Sequence, residues 1–101
     1  MGEQQPKNPR YYIVTGKNIA EVKEKIKRLR KRIPEHPQFS EMSRILTSPQ
    51  GFAEMRISGE VETISTKEVI DHGYFAKYEN IPVYVNNAIK TDMVAAEKFE
   101  S

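Results

Sequence analysis

The residues best able to move a proton in this chain are His36, His72 and Asp71, and Ser48 and Ser65 are hydroxyls that such groups could activate. Serine, histidine and aspartate are the letters of a nucleophilic triad, but a triad needs the carboxylate to orient the imidazole. Adjacent residues on a helix point about 100° apart, so Asp71 is poorly placed to hold His72. A helix C-terminus with a favourable imidazole near it is the simpler account. Neither histidine has a second ligand at metal spacing. The chain has no cysteine, which removes thiolate nucleophiles, thiolate metal sites and disulfides together. Gly16, Gly51, Gly59 and Gly73 follow no Walker or dinucleotide spacing. The residue types therefore point to no catalytic set, no cofactor and no resident metal.

Two sets of residues could still recognise a partner. Lys17 to Arg32 holds eight basic residues against Glu21 and Glu24, a charge of +6 in a chain whose total is +2, which leaves −4 elsewhere. Lys23, Lys27, Arg28, Arg30, Lys31 and Arg32 form the candidate surface for a second subunit or for nucleic acid. Nucleic acid is the less favoured partner, because the charges spread around three helix faces and no aromatic is interleaved to stack on bases. A solvated face with its acidic counterpart on a neighbouring subunit fits better. The second set is Tyr74, Phe75, Tyr78 and Tyr84, whose rings suit a core or subunit interface more than a ligand pocket.

The elements that carry these residues can be read in order. Residues 1–9 contain Pro6 and Pro9 among polar neighbours and read as a flexible arm. Arg10 to Thr15 is aromatic and β-branched, a short strand with Tyr12 and Val14 on one side and Tyr11, Ile13 and Thr15 on the other. Asn18 opens a helix in which Ile19, Val22, Ile26, Leu29 and Ile33 recur at helical spacing, and Pro34 ends it. Glu21 with Lys25 and Glu24 with Arg28 are candidate i,i+4 pairs on its surface. Beyond the Pro34–Pro37 connector, Phe39 and Met42 offer apolar anchors, and Arg44 to Thr47 is a strand. Ser48 then caps a helix over 49–58 with Pro49 at its first position and Gly59 as its stop. Glu60 to Ile64 is extended or irregular. Ser65 and Glu68 make a capping box for a second short helix that Gly73 ends. Tyr74 to Tyr78 and Ile81 to Val85 are strands around a turn at Glu79 and Asn80, with Pro82 restricting how the second strand pairs. A last strand is expected around Met93 to Ala95, with 97–101 frayed.

Together these predict a single α+β domain over 10–96, a small mixed and mainly antiparallel sheet flanked by one long and two short helices. Charged residues make up 30% and hydrophobic residues 38% of the 101 residues, enough for one modest core. The N-terminus lacks a signal-peptide apolar region and no window is long enough to span a membrane, so a cytoplasmic protein without a membrane partner is expected.

Two stretches in this order, ILTSPQGFAEMR and GYFAKYENIPVYVNN, resemble the axial domain of tailed-bacteriophage major capsid proteins. In that family a strand leads into an SP-x-G-F/W helix start, and some 20 residues later a G-x-x-x-x-Y-x-x-I/V-P-V-x-V segment forms a central strand. Ser48, Pro49, Gly51 and Phe52 fit the first part, with Thr47 and Arg56. Gly73, Tyr78, Ile81, Pro82 and Val83 fit the second, with Val85. The arm, extended loop, spine helix and peripheral domain of a complete capsid subunit have no counterpart in 101 residues. The chain is similar to stand-alone axial-domain proteins of the encapsulin superfamily. The resemblance implies a structural, non-enzymatic role and a sheet with helices on both sides. It also implies self-association into rings of five or six through head-to-tail contacts, cargo or a neighbouring enzyme as partner, and a virion location if the origin is phage.

Overall fold

A computed structural model describes residues 11–74, 76–89 and 93–99 of the chain. The expected arm at 1–9, Arg10, Phe75 and the tail beyond Phe99 lie outside the described residues. The elements run β1 (Tyr11–Gly16), α1 (Ile19–Arg32), a 3-10 turn (Phe39–Glu41), β2 (Arg44–Thr47), α2 (Pro49–Ile57), β3 (Glu62–Thr63), α3 (Thr66–His72), β4 (Ala76–Tyr78), β5 (Ile81–Val85) and β6 (Val94–Phe99). Six strands make one sheet in the order β1-β6-β2-β5-β4-β3. Only β2 and β5 are parallel; the other four neighbouring pairs are antiparallel. This is the α+β fold with a mainly antiparallel sheet that the element pattern predicts.

The register explains the core. Val14, Ala96, Ile45, Val83 and Ala76 lie opposite one another across five strands, and all five are buried. Side chains two apart share a sheet face, so Val94, Thr47 and Ile81 extend the same surface. α1 lays Ile19, Val22 and Ile26 over it, α2 adds Met55, and the connector adds Phe39 and Met42. Each fully buried aliphatic side chain in this layer is worth about 1.5–3 kcal/mol. Both longer helices serve this one face.

The opposite face carries Ile13, Thr15, Ala95, Glu97, Phe99, Arg44, Leu46 and Tyr84 by the same alternation. Ile13 is 48% and Phe99 39% exposed. Among the described residues, contact from a helix end is a ring stack there, His72 on Tyr74 with centroids 5.5 Å apart, and Tyr74 edge-on to Tyr84 at 5.7 Å. α3 itself buries no residue. The expected helices on both sides of the sheet thus reduce to two helices on one side and the end of α3 near the other.

Several boundaries differ from those read in the sequence. β6 runs on through Glu97 to Phe99, where fraying is expected from the polar run EKFE. The reason is tertiary: β6 is an interior strand bonded to both β1 and β2, and the buried Glu97 is paired with Arg44 at 3.0 Å. β1 ends one residue later than expected and β4 starts at Ala76. Glu79 and Asn80 form the β4–β5 turn with φ of 49° and 69°, the left-handed pair that a two-residue hairpin requires. That turn makes Tyr78 and Ile81 the hydrogen-bonded pair. Position 82, where proline lacks its N–H, consequently faces β2 just short of the first β2–β5 partner, Val83.

Candidate functional site

α1 starts at Asn18, whose Oδ1 accepts from the Glu21 N–H at 2.8 Å. The Glu21 carboxylate turns back to the Lys17 N–H at 2.6 Å, and the Lys25 ammonium donates to the Thr15 carbonyl at 2.8 Å. The expected Glu21–Lys25 pair is therefore replaced by two backbone contacts, to Lys17 and Thr15. Glu24 and Arg28 do approach, at 4.0 Å and well exposed, a geometry that contributes little.

At its other end α1 stops before Pro34, and Arg30 donates to the carbonyls of Pro34, at 2.7 Å, and His36. This folds the connector back along the helix. His36 is buried edge-on to Tyr12 with centroids 5.0 Å apart, and its Nδ1 lies 3.3 Å from the Pro37 carbonyl. Phe39 follows, packed edge-on against Tyr78 at 5.7 Å. Between the last turns of α1 and this connector lies a groove of about 550 Å³. Ile26 and Phe39 lie at its bottom, both almost wholly buried, and its walls are the side chains of Lys23, Glu24, Lys27, Arg28, Arg30, Lys31 and Gln38.

The six basic residues singled out in the sequence do not act alike. Lys23 is bound to its own fold: its ammonium sits over the rings of Phe39 and Tyr78, donates to the Tyr78 hydroxyl at 3.2 Å, and pairs with Glu79 at 2.7 Å. The Glu79 carboxylate raises the Lys23 pKa above its ordinary value, burial lowers it somewhat, and Tyr78 adds to the rise. A raised folded-state lysine pKa contributes stability below the ordinary lysine value, and that contribution is lost as pH climbs through the raised one. Arg30 is spent on the connector carbonyls, and Arg28 reaches Glu24. Among the described residues Lys27, Lys31 and Arg32 make no ion pair. Three unpaired cations thus lie towards the C-terminal end of α1, and Lys17 stands just before its start.

The opposite end carries two carboxylates beside Lys17. Glu54 and Glu60, from α2 and the residues after it, line a smaller depression of about 190 Å³ with Lys17 to Ala20 in the first turn of α1. Ile19 and Lys31 are roughly 18 Å apart along the helix at 1.5 Å per residue. At the far edge of the sheet, Glu62 of β3 lies opposite Lys77 and the Glu68 carboxylate caps α3. α2 also carries Ile57, which at 86% is the most exposed large hydrophobic among the described residues.

The residues of the two resembling stretches are brought together: β2 and β5 are the parallel pair, with Ile45, Leu46 and Thr47 opposite Val83, Tyr84 and Val85. Each has a local task. Ser48 Oγ accepts from the Gly51 N–H at 3.0 Å, Pro49 takes the first helical position, and Phe52 packs against the core. A Cβ on Gly51 would lie 2.3 Å from Thr47 Oγ1, so helix and strand meet there only because the side chain is absent. Tyr78, Ile81 and Val83 are buried, and Gly73 ends α3 at φ 82°.

No triad assembles from Ser48, Ser65, Asp71 and His72. Both hydroxyls accept helix-capping hydrogen bonds, and the His72 ring stacks on Tyr74. Among the described residues no three His, Asp or Glu side chains gather to hold a metal, and no helix is long and apolar enough to cross a membrane. The Arg44–Glu97 pair, with the guanidinium 4.8 Å over Phe99 and 5.9 Å over Tyr84, has no sequence signal because its partners are 53 residues apart. Ile57 did have one: it lies two residues, about 200°, beyond the buried Met55 and so faces away from the core. Comparison of the chain with protein-family models, curated proteins and solved structures returns no match.

Proposed function

We propose that this protein is a non-enzymatic assembly protein that associates with itself head to tail. The observation that carries the reading is the separation of charge along α1: unpaired cations at its C-terminal end, carboxylates of α2 and the following residues at its N-terminal end. Opposite charges at opposite ends cannot satisfy each other within one copy, and they set the register between successive copies. Such a contact joins two different surfaces and so builds rings or open chains rather than two-fold dimers. The reading agrees with what the resemblance to capsid axial domains and stand-alone encapsulin-like proteins implies, including a ring of five or six and a cargo or enzyme partner. Sedimentation velocity over a wide concentration range tests it. Species larger than a monomer at low salt, shrinking as salt rises, are expected; a monomer under all conditions would overturn it.

A second reading, nucleic-acid binding, is favoured by Lys27 and Lys31, about one helical turn apart on the same groove and without ion pairs among the described residues, with the unpaired Arg32 lining the groove on the β1 side. Fluorescence anisotropy with labelled DNA and RNA at low salt decides between them. Tight, steeply salt-dependent binding would favour this reading, and flat traces would remove it.

A further inference from the structure

We infer that the free edge of β1 accepts an added strand: an extended, acidic segment of a different protein bonds to the backbone of Ile13 and Thr15 and sets its carboxylates against α1. The inference does not rest on self-association.

The backbone leaves this edge open. Ser48 donates to the Met93 carbonyl at 3.2 Å, and antiparallel alternation then turns the backbone groups of Met93, Ala95 and Glu97 towards β2 and those of Val94, Ala96 and Lys98 towards β1. Their partners on β1 are Gly16, Val14 and Tyr12. Ile13 and Thr15 therefore point their N–H and C=O groups away from β6, in keeping with the bond from Lys25 to the Thr15 carbonyl. β1 is the outermost strand of the sheet, so the Ile13 N–H, the Ile13 carbonyl and the Thr15 N–H have no partner among the described residues.

The charge beside this edge selects the strand. Between it and α1 runs a groove of about 330 Å³ whose α1 wall is Lys25, Arg28, Leu29 and Arg32. No carboxylate lines it: Glu24 approaches Arg28 only to 4.0 Å, and Glu21 is bonded to the Lys17 N–H. Side chains alternate across a strand, so every second residue of an added strand faces these cations. The others lie beside Ile13, which is 48% exposed on the opposite face. A second copy does not fit. Two β1 edges would bring the same cations together. β3, the other edge, is two residues long, and because Thr63 lies opposite the buried Ala76 it would put Glu62 on the face away from α1. A nucleic acid would meet the cations but could not continue the strand ladder.

The test adds fluorescein-labelled peptides to the full chain at low salt and reads anisotropy. EVEVEV should bind, whereas KVKVKV and the block order EEEVVV should bind about tenfold or more weakly. Arg28→Glu with Arg32→Glu, both exposed, should weaken EVEVEV by a similar factor. So should Ile13→Pro, which removes an N–H that the sheet does not use and should leave the circular dichroism spectrum unchanged. In the wild type, amide exchange at Ile13 and Thr15 should slow when EVEVEV is bound. Absence of binding would overturn the inference. Equal affinity for the alternating and block peptides, or bound peptide with unprotected Ile13 and Thr15 amides, would overturn it too, leaving attraction of charge alone.

Discussion

α2 and α3 begin with the same device. Ser48 accepts from the N–H of Gly51 at 3.0 Å and Ser65 from that of Glu68 at 3.2 Å, and α3 adds the reciprocal contact from the Glu68 carboxylate to the Ser65 N–H. A glycine with positive φ follows each helix, Gly59 at 74° and Gly73 at 82°. By local signals α3 is the better helix of the two. Yet α2 buries Gly51 and Met55 and packs Phe52 on the core, whereas α3 buries nothing and leaves Ile70 77% exposed. Capping decides where a helix starts and stops; whether it is held depends on what the sheet offers beneath it. α2 leaves the end of the central β2 directly over the core, while α3 connects β3 and β4 at the sheet's edge, where little apolar surface remains to be covered.

The sharpest way to break this contrast is at Met55. Met55→Ala should cost about 2–5 kcal/mol of global stability, measured by denaturant unfolding, because the thioether is buried between α2 and the sheet. A loss no greater than that of a surface substitution would show that α2 is held by its cap alone. Gly51→Ala should follow with about 1–3 kcal/mol, since the added methyl must displace Thr47 Oγ1. Ser65→Ala should cost about 1 kcal/mol, felt mainly in α3: amide exchange at Val69 and Gly73 should quicken while exchange in β2 and β5 stays as it was. If β2 and β5 loosen equally, α3 is coupled to the core after all. Ile70→Ser is expected to stay within about 0.5 kcal/mol of wild type, and a larger loss would mean that α3 is covered in the folded protein.

The candidate site divides along the same line. The basic run was plain in the sequence, as were the three helix starts, the stops at Pro34, Gly59 and Gly73, and the strand at Ile81 to Val85, because each depends on neighbours within about four residues. What each cation does was not. Lys23 is taken by Glu79, 56 residues away, Lys25 and Arg30 by backbone carbonyls, and Arg28 reaches Glu24, which leaves Lys17 before the helix and Lys27, Lys31 and Arg32 towards its end, out of a run that reads as uniform. The end of β6 was lost for a related reason: EKFE looks like a polar tail until Arg44 is placed beside Glu97.

The sequence by itself determined the local structure. Periodicity, caps and turn residues act over one or two helical turns, so the helices, most strands and the Glu79–Asn80 turn could be read without knowing the fold. Tertiary structure alone decided the strand order, the parallel β2–β5 pair that joins the two resembling stretches, and the side of the sheet that the helices cover. It also decided that three unpaired cations lie towards one end of α1 and two carboxylates beside Lys17 at the other. These depend on contacts between residues far apart in the chain. The energies of such contacts are set by burial and mutual geometry, and neither is written in the spacing of residue types along the sequence.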